Sequence, residues 1–181
     1  MDILTAIFTR RSVRHFTQEP VSDSDLETLL RAGMQAPSAD NGQPWRFVVI
    51  DDRLLMDKIP SIHPWSDMMK EAALGILVCG QVVPGEMGEY WQQDCAAATE
   101  NILLAAHGIG LGAVWLGIAP DAKRMAAFSA LVGLPTDVQP LGLIAVGHPA
   151  HTYQPADRYD PAKVHINRWL SRFFSRQIRA S

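Results

Sequence analysis

The sequence predicts one domain that combines helices with a buried sheet, on three observations. The chain has 181 residues, 48% of them hydrophobic and 19% charged, enough to bury a substantial core in one unit and too few for two large ones. Three aliphatic runs, "RFVVI" (46–50), "LGILVCG" (74–80) and "PLGLIAVGHP" (140–149), read as buried strands. Around them, apolar residues recur at helical spacing.

Asp2 can cap a first helix whose Ile3, Leu4, Ile7 and Phe8 share a face, and which runs into "RRSVRHF" (10–16). Ser22 followed by Asp25 resembles a capping box, and Leu26, Leu29, Leu30 and Met34 line the next helix until Pro37 stops it. The polar stretch "APSADNGQPW" then leads directly into the first strand. The longest helix is expected over about 89–107, ended by "GIGLG". Its small and aliphatic residues surround most of the circumference, which implies burial on more than one side, in the centre of the fold or against a second subunit. "AVWLG" (113–117) reads as another short strand, Pro120 and Asp121 start a further helix, and Pro135 closes that region. Beyond Pro149 the chain becomes polar and basic, yet Trp169, Leu170, Phe173 and Phe174 form an apolar helical stripe that needs a surface to cover it.

The formal net charge is −3, from 16 Lys and Arg against 19 Asp and Glu. That balance gives no support for broad attraction to nucleic acid or to an anionic membrane. Cys79 and Cys95 have neither CxxC spacing nor a secretory context, and read as reduced core cysteines. The N-terminus does not resemble a signal peptide, and no apolar run reaches the roughly 18 residues of a membrane span. The expectation is a soluble, cytoplasmic protein.

Two constellations could carry chemistry. Arg10, Arg11 and Arg14, with Ser12 between them, form the densest positive spot in an acidic chain. Guanidinium forks suit phosphate, although arginines are also favourable at an ordinary helix end. The 36–45 loop offers Ser38, Asn41 and Gln43, whose hydroxyl and carboxamides can both donate and accept along the edge of a heterocycle; an ordinary turn has the same composition. GxGxxG after a strand, GxxxxGK[ST], HExxH and GxSxG are all missing, so dinucleotide-fold, P-loop, zincin and hydrolase readings lack their parts. The histidines show no ligand spacing, so no metal site is expected; His63, in "HPW", lies where a loop could approach a cofactor, although the ordinary reading is an exposed loop.

"RRSVRHF", "APSADNGQPWRFVV", "CAAATENILLAAHGIGLGAVWLG", "GHP" and "DRYDPAKVHINRW" occur in order over nearly the whole chain, and together resemble the FMN-dependent nitroreductase family. The resemblance implies an α+β fold, with a central, mostly antiparallel sheet wrapped by helices. It also implies an entwined homodimer, in which residues 1–181 form one FMN-binding domain and 150–181 an arm on the partner subunit. FMN would be the cofactor and NADH or NADPH the electron donor. Small acceptors such as nitroaromatics or quinones would be reduced by ping-pong exchange, the flavin itself carrying the chemistry without a catalytic side chain.

By the same resemblance, Arg10 and Arg14 would contact the phosphate or the pyrimidine edge, with Arg11 and Ser12 beside them. Ser38, Asn41 and Gln43 would lie along the flavin and ribityl, with Pro37 shaping their loop. Trp115, Leu116 and Gly117 would pass the reactive side of the ring. Gly147, His148 and Arg158 would complete the phosphate end. Gly117 replaces a glutamate of well-studied members, Ala156 replaces a basic residue, and the long insertion of larger relatives is missing, so the pocket would be open or lined by "SIHPWSDMMK" (61–70). Relatives of this fold that dehalogenate reductively or modify flavin, and a flavin-binding or sensory protein without turnover, remain alternatives.

Overall fold

The computed structural model describes residues 1–82 and 87–169. Its helices are α1 (Ile3–Thr9), α2 (Asp23–Met34), α3 (Arg53–Met56), α4 (Ile59–Ile62), α5 (Trp91–Gly108) and α6 (Ala122–Val132). Its strands are β1 (Trp45–Ile50), β2 (Leu74–Gln81), β3 (Gly112–Gly117) and β4 (Val138–Gly147). The strands form one sheet in the order β1-β2-β4-β3, and every neighbouring pair is antiparallel. This is the expected α+β architecture.

The long apolar runs have a physical reason. Strand side chains alternate between faces, and here both faces are covered. On β2, Leu77 and Cys79 enter one core with Met56, Ile59 and Phe128 of α3, α4 and α6. Leu74, Ile76 and Val78 enter the opposite core with Leu29 of α2 and Cys95, Ala98 and Ile102 of α5. Helix α5 packs centrally. Both cysteines are free and buried, and burial pushes each thiol up to about 12.

Caps set the helix ends. The Asp2 carboxylate accepts from the Thr5 N–H at 3.0 Å, and the Ser22 hydroxyl accepts from the Asp25 N–H at 3.1 Å while donating to the Asp25 carboxylate. Helix α6 begins at the Asp121 cap but stops before Pro135, because Gly133 takes the left-handed conformation (φ 68°) that closes it. Helix α1 differs from expectation in its packing. It buries only Ala6, and the shared face of Ile3, Leu4, Ile7 and Phe8 points outward, Phe8 being 67% exposed. In the arm, Trp169 is exposed and stacks on His165, with ring centroids 4.4 Å apart; Leu170, Phe173 and Phe174 lie outside the described residues.

Candidate functional site

The loop between α2 and β1 is held in an unusual backbone conformation. Asp40, Asn41 and Gln43 all have positive φ, at 47°, 56° and 46°. For non-glycine residues each such angle costs on the order of 1 kcal/mol and persists only where neighbouring contacts impose it. Those contacts are present. The Gln43 N–H donates to the Ser38 hydroxyl oxygen at 3.1 Å, the Gln43 side-chain amide donates to Asn41 Oδ1 at 3.0 Å, and the Ala39 N–H donates to Asp94 Oδ1 at 3.1 Å. Asn41 and Gln43 remain exposed, and a cleft of about 340 Å³ opens between Pro37, Ser38 and Ala39 and the start of α5 at Tyr90, Gln93, Asp94 and Ala97.

The arginine segment docks on the other side of the sheet. Ser12 bridges Ala113 of β3, the Val13 N–H donates to the Ala113 carbonyl at 3.0 Å, and Phe16 bridges Pro149. Arg10 is engaged by Glu100 of α5 at 3.3 Å. Among the described residues no carboxylate pairs with the guanidinium of Arg11 or Arg14, and Arg14 is exposed. Tyr153 brings its hydroxyl to 3.5 Å from the Arg14 N–H, and exposed Arg158 follows in the same loop. His148 turns to the Pro20 carbonyl (3.3 Å) and Glu19 (3.7 Å). Gly147 is buried where a Cβ would lie 3.0 Å from the Phe16 ring, so packing alone explains that glycine.

Strand β3 joins these features. Because Ala113 turns its carbonyl outward to Val13, the alternation of an antiparallel ladder also turns the N–H and C=O groups of Trp115 and Gly117 outward, away from β4. Two donors take up the Gly117 carbonyl: His63 Nε2 at 3.0 Å and Arg124 at 3.4 Å. His63 Nδ1 accepts the Trp65 N–H at 3.3 Å, which assigns the ring proton to Nε2. His63 is 3% exposed, so its reading as an exposed loop residue is corrected: with both nitrogens satisfied, the imidazole can be buried. A Cβ built on Gly117 meets nothing within 4 Å and its φ is not positive, so the fold itself does not require glycine there. The Trp115 indole lies against Gly142, with its buried Nε1 unpartnered, and Leu116 packs into the core.

The chain therefore places Arg10, Arg11, Ser12 and Arg14 near the start of β3, with Gly147 and His148 at the end of the neighbouring β4 and Trp115, Leu116 and Gly117 further along β3, while the Pro37–Gln43 loop lies elsewhere. That loop enters β1, at the sheet edge opposite β3. With strands about 4.8 Å apart, the two edges are about 14 Å from one another. Sequence reasoning missed Asp94 and Asn101, because each acts on a backbone group far away in the chain and leaves no motif, and it missed Arg124, which reaches back seven residues to the Gly117 carbonyl. Among the described residues there is no His, Cys, Asp and Glu grouping suited to a metal ion, and no helix long and apolar enough to cross a membrane.

Comparison with known proteins agrees with this architecture. The model of the Nitroreductase family matches residues 7–75 and 61–148. A protein of Methanothermobacter thermautotrophicus, whose name proposes NADH dehydrogenase/NAD(P)H nitroreductase activity, is 40% identical over 93% of this chain and 88% of its own. A crystal structure from Bacteroides thetaiotaomicron with the same proposed activity in its name superposes with a TM-score of 0.87, at 41% identity over 91% of this chain and 96% of that one. A Desulfovibrio desulfuricans protein, proposed to be a nitroreductase and solved in complex with FMN, superposes with a TM-score of 0.75, at 36% identity over 88% and 92% of the two chains.

Proposed function

This chain belongs to the nitroreductase family, and from that premise we propose that it is an FMN-dependent oxidoreductase, taking electrons from NADH or NADPH and delivering them to small electron-poor acceptors such as nitroaromatics and quinones. The reading is supported most by the backbone of β3, which turns the N–H groups of Trp115 and Gly117 outward along the same edge that, at Ala113, receives the segment carrying Arg11 and Arg14, two guanidinium groups that no described carboxylate neutralises. These donors fit FMN, which carries an anionic phosphate and a ring edge of hydrogen-bond acceptors. When bound, FMN supplies hydride acceptance and electron return.

The chain's own residues bind, orient and tune. Arg11, Arg14 and Ser12 hold the phosphate or pyrimidine edge, with Arg158 close by on the loop after Tyr153 and with Arg10 once it exchanges Glu100 for the ligand. A guanidinium beside the pyrimidine favours the reduced, anionic ring over the neutral one and so raises its potential; equal interaction with both forms would shift nothing. From Ala113 to Gly117, β3 spans about 13 Å at roughly 3.3 Å per residue, which separates the cationic end from the glycine end. Gly117, lacking a side chain, leaves close approach to its N–H open.

Ser38, Asn41 and Gln43 enter the sheet at the edge opposite the arginine segment, which supports a site completed between two copies of the chain. The outward apolar face of α1 supports that dimer. Donor and acceptor then use the same face in turn, by ping-pong exchange. Steady-state rates with NADH varied at several fixed quinone or nitroaromatic concentrations should give parallel double-reciprocal lines, whereas intersecting lines contradict sequential use of one site. Arg14→Ala should weaken FMN binding about tenfold or more, as expected for loss of a charge-assisted contact; unchanged flavin affinity removes Arg14 from the site.

A further inference from the structure

The Pro37–Gln43 loop keeps three non-glycine residues at positive φ, and something outside the loop must hold it there. Helix α5 does so at two points. Asp94 Oδ1 accepts the Ala39 N–H at 3.1 Å, and Asn101 Nδ2 donates to the Ala32 carbonyl, in the last turn of α2, at 3.0 Å. The two side chains are seven residues apart, two helical turns, and therefore project from the same face of α5. One grips the chain before the loop and the other grips its first turn. Asp94 is a carboxylate only 8% exposed, a costly thing to bury without a partner. It sits in the first turn of an 18-residue helix, where the helix dipole favours negative charge.

We propose that Asp94 and Asn101 are positioning residues for the flavin site: a two-point grip from α5 that fixes the loop bearing Ser38, Asn41 and Gln43 in its binding conformation. This rests on the reading of that loop as a cofactor-binding segment. The grip acts on backbone groups, so it sets loop geometry without touching the ligand. Losing the buried acceptor at Asp94 orphans the Ala39 N–H and lowers the population of the competent loop, and affinity falls by that same fraction.

Amide exchange and flavin affinity test this separately. In the wild-type protein without added FMN, the Ala39 amide should exchange at least about tenfold more slowly than that of exposed Asp40, as expected for a bonded donor. Equal exchange overturns the grip without any variant having to fold. Asp94→Leu should then lose that protection and raise the FMN dissociation constant about tenfold or more, while Asp94→Asn, which keeps an acceptor oxygen, stays within about threefold of wild type. Asp94→Leu with wild-type flavin affinity, in a protein with a native circular dichroism spectrum, also overturns the proposal. If wild type binds no FMN, the cofactor reading fails, and slow exchange at Ala39 that Asp94→Leu abolishes still establishes the grip.

Discussion

Two glycines of β3 have opposite surroundings. At Gly112 a Cβ would come within 2.6 Å of Val13, the residue that ties the arginine segment to β3. At Gly117 it would meet nothing. Gly112→Ala should therefore destabilise the protein by about 1–3 kcal/mol in urea unfolding, as an overpacked core does, whereas Gly117→Ala should stay within about 0.5 kcal/mol and change flavin affinity or turnover instead. A Gly117→Ala protein that unfolds early contradicts the claim that ligand approach keeps this position small. The cysteines give a second check on the core. With their thiols pushed up to about 12 by burial, Cys79 and Cys95 should resist a thiol reagent at pH 8 until denaturant is added; labelling of the native protein contradicts their placement.

Helices and strands were legible in the sequence to unequal degree. Strands β1, β2 and β4 stand out because a sheet covered on both faces needs uninterrupted apolar runs, and α5 stands out because a central helix is small and aliphatic nearly all round. Helices α3 and α4, four residues each, were missed; Pro60 interrupts the run that contains them and neither is long enough to show a period. The pairing of β2 with β4 rather than β3 joins residues distant in the chain, which no local pattern reports. At the site the donor and acceptor types were readable, but Asp94, Asn101 and the burial of His63 against Gly117 were not, since a bond to a distant backbone group has no spacing signature. The junction of α1 with α5 gives a pH prediction. His107 accepts or donates at Thr9 Oγ1 (2.7 Å), and burial, followed by the nearby Arg10 charge, holds its pKa below the usual imidazole value. The unfolded chain therefore binds the proton more readily. This group's contribution to stability should be complete above about pH 6.5 and be lost as pH falls from there toward the folded value. Nuclear magnetic resonance should find His107 titrating below the ordinary range, and Arg10→Ala should move it back up; titration at the ordinary value in both proteins contradicts the assignment.

At the scale of the whole molecule, the site residues divide between two sheet edges about 14 Å apart, and a patch of large apolar side chains lies uncovered on α1. On the proposed reading, a second copy of the chain would account for both. Phe8→Asp places a charge in that patch and, if two copies meet there as proposed, should give a monomer in sedimentation while lowering flavin content in parallel. A monomeric variant that keeps its flavin contradicts the two-chain site.

The central claim is tested most directly by the visible spectrum of the purified protein, reconstituted with FMN and then treated anaerobically with NADH and with NADPH in separate cuvettes. A yellow protein that bleaches with at least one of them is the predicted result. A protein that takes up no FMN, or that stays yellow with both, contradicts the account.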